Sequence, residues 1–200
     1  MRKQPQQQRA KVLVDFILQA TEQCIIEDGL IRLTTPKISQ RSGISVGSIY
    51  QYFDDKDQII NELLKRKMLD YGQQFKQLIM HMDGQSLENI IALAVHFGFE
   101  SMRMNNGFYL EVVKHWHLFR GTEAEQILQK DCFDLALYLF NRFFPDWNMA
   151  QLSHKAFVII NSTLFTMMRF ASDEHFLIQE QQLKEEISQM IIAYLQAEQR

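Results

Sequence analysis

TTPKISQRSGISVGSIYQYF, residues 34–53, sets helix-compatible runs against residues that end helices. Thr34 is a good N-cap, with Thr35 and Pro36 in the first turn after it. Gly43 can take the positive φ that a tight turn needs and a Cβ would resist. Ser45 can cap a second short helix, from Val46 to about Tyr52. The stretch therefore predicts two short helices joined by Gly43-Ile44-Ser45. Ile38, Ile44 and Ile49 supply their shared core, and Ser39 is small where the helices approach. Val46, Gly47, Ser48, Tyr50, Gln51 and Tyr52 are left to point outward in varying degrees, while Phe53 reads as core.

Outward from this segment the chain reads as helix almost end to end, with no alternating β-branched run. Upstream, residues 1–8 form a Gln-rich stretch read as a disordered tail. A first helix follows from about Arg9 to Asp28, with Val12, Phe16, Ile17, Ala20, Cys24 and Ile25 as its apolar face. Gly29 suits the position that ends it. Downstream, Asp54 or Asp55 caps a long fourth helix to about Met82. Ser86 caps a fifth, to about Met104, apolar nearly all round between Ile90 and Phe99 and so expected to be central. A sixth is expected over Phe108–Phe119. Thr122 and Glu125 form a capping box for a seventh that Pro145 stops. Asn148 caps an eighth, to about Ala171. A ninth, near Gln181–Ala197, carries Leu183, Ile187, Met190, Ile191, Tyr194 and Leu195 on one side. No internal repeat is visible.

The composition suits a soluble chain, with 46% hydrophobic and 22% charged residues. The charge is uneven. Residues 1–53 hold seven Lys/Arg against four acids, and residues 71–200 hold ten against fifteen. A basic end on an acidic body fits a local phosphate-contact surface. Cys24 and Cys132 are too few and too far apart for a disulfide framework or a zinc site. No signal peptide is read at the amino end. The oiliest run, residues 90–99, is too short to cross a bilayer, so a cytoplasmic protein is expected. No nucleophile elbow, phosphate loop or metal motif is present, and no catalytic residue, metal or cofactor is assigned. His115 and His117 are two apart and so point to different sides of a helix.

Taken together, Thr34 before Ile38, then SGISVGSIYQYF, then DKDQIINELL resemble the DNA-binding domain of the TetR family of bacterial transcription regulators over about Arg9–Leu64. Ser39 and Ser42 stand where the family usually has alanine; both are small, so the packing survives. The resemblance implies an all-α fold of nine helices. Residues 9–55 would be the helix-turn-helix domain and 56–200 a ligand-binding and dimerisation domain. It also implies a homodimer through the last two helices, bound to a near-palindromic double-stranded DNA operator and released by a small, largely hydrophobic effector. A repressor is the expected mode.

The residue chemistry agrees with that implication. Thr34 or Thr35 can bind a phosphate beside free helix amides. Ser45 and Ser48 can donate to phosphates or bases. Tyr50 and Tyr52 are rigid phenolic donors, and Gln51 matches the major-groove edge of adenine. Gly47 lets the second helix lie close to base edges, with Val46 beside it either as contact or as core. Lys56 offers a direct charge to the backbone. Lys37 and Arg41 read either as phosphate contacts or as solvated charges, and Arg2, Lys3, Arg9 and Lys11 as groove contacts or a solvated tail. Among helices four to seven, His96, Phe97, Met102, Phe108 and Tyr109 are expected to line an effector cavity. Val113, Trp116, His117, Phe140 and Phe165 complete that set; the competing reading of each is plain core. Two other functions stay open: a helical carrier or enzyme for a hydrophobic metabolite, and a ligand-independent regulator acting through a protein partner.

Overall fold

A computed structural model describes the chain over residues 3–172 and 177–197. Among the described residues the secondary structure is entirely helical: α1 Lys3–Asp28, α2 Thr35–Ser42, α3 Val46–Ile49, α4 Lys56–Met80, α5 Leu87–Arg103, α6 Phe108–Lys114, α7 Glu123–Phe143, α8 Met149–Ser172 and α9 Glu180–Gln196. Helix α1 starts at Lys3, well before Arg9, so the glutamines expected as tail are drawn into it; Gln is a good helix former and Pro5 falls in the first turn, where its missing N–H costs nothing. Ile17, Ala20, Cys24 and Ile25 of α1 are buried as expected. Val12 and Phe16 are not: both are about half exposed.

The predicted caps are formed by Thr34, Ser45, Asp55, Ser86 and Thr122, each accepting a backbone N–H through its side chain. Asn148 and Gln151 satisfy each other's amides at 3.0 Å, which starts α8. The Glu125 carboxylate reaches one residue further than the capping-box pattern implies, to the amide of Gly121. The sixth helix is shorter than its apolar pattern. It ends at Lys114, and Trp116–Phe119 continues as a 3-10 turn. Helix α3 likewise stops at Ile49, three residues early.

Two cores organise the helices. The first gathers Ile17, Cys24, Ile25, Leu33, Ile38, Ile49, Phe53 and the front of α4, together with Phe108, Val112 and Phe119. The packing unit around the helix-turn-helix is thus larger than residues 9–55. The second core joins α5, α7, α8 and α9 through Ile90, Val95, Leu139, Phe140, Ala156, Ile187 and Leu195. Helices α4 and α7 feed both. They pack closely where Gly72 faces Asp131: a Cβ at Gly72 would lie 1.9 Å from the Asp131 carboxylate.

Helix α5 is central, packed against α4, α6, α8 and α9, with one open strip. Ile90, Ile91, Val95 and Phe99 are covered, whereas Ala92 and His96 are exposed, so the expected all-round burial is corrected. Its main partner is α9, tied to it by the buried Lys184. That ammonium lies 2.8 Å from Glu180, 3.2 Å from Glu100 and over the Phe99 ring. Among the described residues no helix is long and apolar enough to cross a membrane.

Candidate nucleic-acid interface

Helix α2 is set by its ends. Thr34 is extended (φ −140°), and its Oγ1 accepts the Lys37 N–H at 3.4 Å. Gly43 sits in the left-handed region (φ 70°), and its N–H closes the helix on the Ser39 carbonyl at 3.0 Å. The Ser42 hydroxyl then accepts the Ile44 N–H at 3.2 Å, fixing the turn. Ser45 opens α3 by accepting the Ser48 N–H at 3.1 Å, and its hydroxyl shares a hydrogen bond with that of Ser48 at 2.8 Å. A four-residue helix has no stability of its own. The fully buried Ile49 anchors it, between Ile38 and Phe53.

This leaves one face of α2–α3 open. Tyr50 is 52% exposed, Gln51 is exposed, and nothing lies within 4 Å of a Cβ built at Gly47. Val46 and Ser48 are half-buried beside them. Thr34 is exposed but Thr35 is buried, so of the two hydroxyls expected at a phosphate only that of Thr34 is open. The two tyrosines separate as well: Tyr52 packs against the first core, leaving Tyr50 as the projecting ring. Lys56 is half-buried at the first position of α4, next to the Asp55 cap.

The remaining cations are held by α1. Lys37 Nζ lies 2.7 Å from Asp28, and the Arg41 guanidinium makes a two-pronged pair with Glu27. The hydrogen bond from Lys37 holds the Asp28 carboxyl below its ordinary range. All four side chains are well exposed. Such pairs contribute about 0–1 kcal/mol and are screened by salt. Arg9 and Lys11 are exposed on α1, Lys3 begins it, and Arg2 lies outside the described residues.

The residues expected around an effector do not share one space. Phe108 is fully buried in the first core with Trp116 packed nearby, and Tyr109 donates to the Lys67 carbonyl at 3.3 Å. Met102 and Phe140 belong to the second core, and Val113 is half-buried. His96 and His117 are exposed, and Phe165 is 69% exposed on α8. What lies between the cores is a cluster of rings. Phe97 stacks on Phe75 at 5.2 Å, Tyr71 lies 5.4 Å from Phe97, and Tyr109 lies 6.4 Å from Tyr71. Burial pushes the Tyr71 hydroxyl and the neighbouring Cys132 thiol above their usual pKa.

Five residues with a part in this arrangement were not among the expected site residues: Glu27, Asp28, Tyr71, Phe75 and Glu111. Tyr71 and Phe75 carried a usable signal, since both lie on the apolar side of α4 at i, i+4 spacing. The partners of Glu27 and Asp28 lie across a turn, where helical period says nothing. Glu111 carries no sequence signal, because its partner Leu30 lies 81 residues away.

Comparison with known proteins finds a described family for the amino-terminal part of the first core. The family profile "Bacterial regulatory proteins, tetR family" matches residues 17–63. The "Fatty acid metabolism regulator protein" of Bacillus subtilis is 27% identical over 81 residues, 40% of this chain and 42% of that protein. An uncharacterised HTH-type transcriptional regulator of Mycobacterium bovis is 31% identical over 77 residues, 36% of this chain and 40% of its own length. The matches thus span about two fifths of the length of these curated relatives. The crystal structure of the transcriptional regulator FadR from Bacillus subtilis in complex with stearoyl-CoA superposes with a TM-score of 0.69. It does so at 16% identity, over 90% of this chain and 97% of that one, a likeness of fold.

Proposed function

We propose that this chain, which belongs to the TetR family of bacterial regulatory proteins, is a cytoplasmic repressor that binds a near-palindromic operator as a dimer. The matched proteins are transcriptional regulators rather than enzymes. One observation carries the reading. Thr34 and Ser45 cap two short helices around Gly43, so that Gly47, Tyr50 and Gln51 stand clear of the protein while Ile49 holds them in place. Without a side chain at Gly47, α3 can approach base edges closely. Gln51 then reads a base, and Tyr50, Thr34, Ser48 and Lys56 contact the phosphates on either side. Lys37 and Arg41 stay paired with Asp28 and Glu27 and present their exposed N–H groups to nearby phosphates.

The test uses a duplex enriched from a random pool by the purified wild-type protein. On it, Lys56→Ala is expected to lower the slope of log affinity against log salt by about one. Tyr50→Ala is expected to weaken binding about tenfold, with Tyr50→Phe between it and wild type. Wild-type affinity and salt slope in both alanine variants would remove these contacts from the interface.

The two-fold assembly is supported by α8. Phe157, Val158 and Phe165 are 46–69% exposed along it, and Met190 is 44% exposed on α9. An exposed patch of this kind marks an interaction surface. The effector is taken to be small or long-chained and largely hydrophobic, entering where Tyr71, Phe75, Phe97 and Tyr109 meet. The stearoyl-CoA in the related FadR structure makes acyl-CoA the first class to try. Stearoyl-CoA added to the protein–duplex complex is expected to release the DNA, and a Phe97→Trp variant, which overfills the ring cluster, is expected to respond less. Release that is equal in both, or absent in the wild type, would contradict that entry point.

A further inference from the structure

We propose that Glu111 of α6 is the residue through which the carboxyl-terminal helices set the position of the helix-turn-helix; the inference rests on the DNA-binding reading above. The Glu111 Oε1 atom accepts the Leu30 N–H at 2.9 Å, across 81 residues of sequence. The contact needs glycine at position 29. Gly29 has φ 83°, and a Cβ there would lie 3.0 Å from the same carboxylate oxygen. His115, just past the end of α6, sits beside the acid: its Nδ1 lies 3.5 Å from Glu111 Oε1 and 3.0 Å from the Glu111 carbonyl oxygen. Glu111, His115, Asp28 and Arg32 line a cleft of about 380 Å³ at this junction.

The segment that Glu111 holds is the one that holds α2. Four consecutive residues are involved. Leu30 takes Glu111 through its amide, Gly29 gives the carboxylate room, Asp28 pairs with Lys37, and Glu27 pairs with Arg41. A shift of α6 therefore pulls on the end of α1 and, through two ion pairs, on α2. This route bypasses α4.

Helix α6 is built to shift as a piece. It has seven residues and is broken at both ends. Before it, Asn105, Asn106 and Gly107 are consecutively left-handed, with φ of 54°, 53° and 86°. That conformation costs free energy at the two asparagines and persists only where neighbours enforce it. After it, His115 leaves helical geometry (φ −115°, ψ 24°). Tyr109, on the same short helix, edges onto Tyr71 in the ring cluster, so displaced rings and Glu111 move with one element.

The experiment uses the full-length protein and the duplex that the wild type enriches from a random pool. Glu111→Ala removes the acceptor, Glu111→Asp keeps the charge but is one methylene short, and Glu111→Gln keeps an oxygen for the Leu30 amide. Affinity in the Ala and Asp variants is expected to change by about fivefold or more, with Gln within about twofold of wild type. In a Glu27→Gln/Asp28→Asn background the Glu111→Ala change is expected to disappear, because the second half of the relay is already cut. Should Glu111→Ala not fold, Glu111→Asp is read in its place. Wild-type affinity in the folded variants, or an undiminished change in the double background, overturns the relay. If the wild type enriches no duplex, the DNA reading has failed and amide exchange decides the relay alone. Faster exchange in Glu111→Ala that spreads from Leu30 to Ile38 of α2 supports it, and faster exchange confined to Leu30 overturns it.

Discussion

Phe165→Asp is expected to leave the chain folded and to make it a monomer that no longer holds its operator. Phe165 is 69% exposed and Phe157 65% exposed, on a helix that buries Leu152, Ala156, Ile159 and Met167 on its other side. An aspartate at either place disturbs little within one protomer, since neither ring is part of a core. Across a two-fold interface the change counts twice. Full burial of a Phe side chain stabilises by about 1.5–3 kcal/mol. Two rings, each about two thirds open beforehand, then contribute roughly 2–4 kcal/mol before the cost of desolvating two carboxylates. At about 1.4 kcal/mol per tenfold, the lost ring burial alone weakens the dimer by about 30- to 700-fold. Each recognition helix then binds alone, and the half-site left to it gives poor discrimination. Sedimentation should show a single-chain species, and a mobility shift should show no retained complex where the wild type is saturated. A dimeric Phe157→Asp/Phe165→Asp protein would move the assembly surface elsewhere.

The second large effect is expected inside the interface itself. Ile49→Ala should cost about 2–5 kcal/mol of stability in the first core, the range for truncating a fully buried isoleucine. Its consequence for binding should be larger than its consequence for helix content. Helix α3 is four residues long, and Ile49 is its one buried side chain. Loss of that anchor frees Ser48, Tyr50 and Gln51 from their common orientation. Far-UV circular dichroism is expected to keep most of its amplitude while DNA affinity falls by about tenfold or more. Conversely, Ile44→Ala, at a residue only partly buried beside the same core, should be milder in both measurements. Equal losses in the two variants would mean that α3 is not held mainly by Ile49.

Much of this was legible in the residues. Thr34, Ser45, Asp55, Ser86 and Thr122 announce helix starts because a side-chain oxygen in extended backbone satisfies an amide that the helix cannot. Gly43 and Gly29 announce ends because both sit at positive φ. These are local rules, and the local parts of the interface followed them. The misses were tertiary. Periodicity put Val12 and Phe16 on the buried side of α1, yet both are half exposed, because period names a side and not what covers it. His96 reads as core from its apolar neighbours and is exposed opposite α9, beside Lys184. The break of the sixth helix at His115 leaves no mark in an apolar pattern that runs on through Trp116 and Phe119. The residues expected around an effector scatter for the same reason: lying on the right helices does not decide which of two cores receives a side chain.

The most direct measurement is selection by the purified wild-type protein from a pool of random duplexes, with sedimentation of the retained complex. Enrichment of one dyad-symmetric sequence, held by two chains with half-sites about 34–36 Å apart or a multiple of that spacing, is the expected result. A single chain that retains all duplexes equally would contradict it.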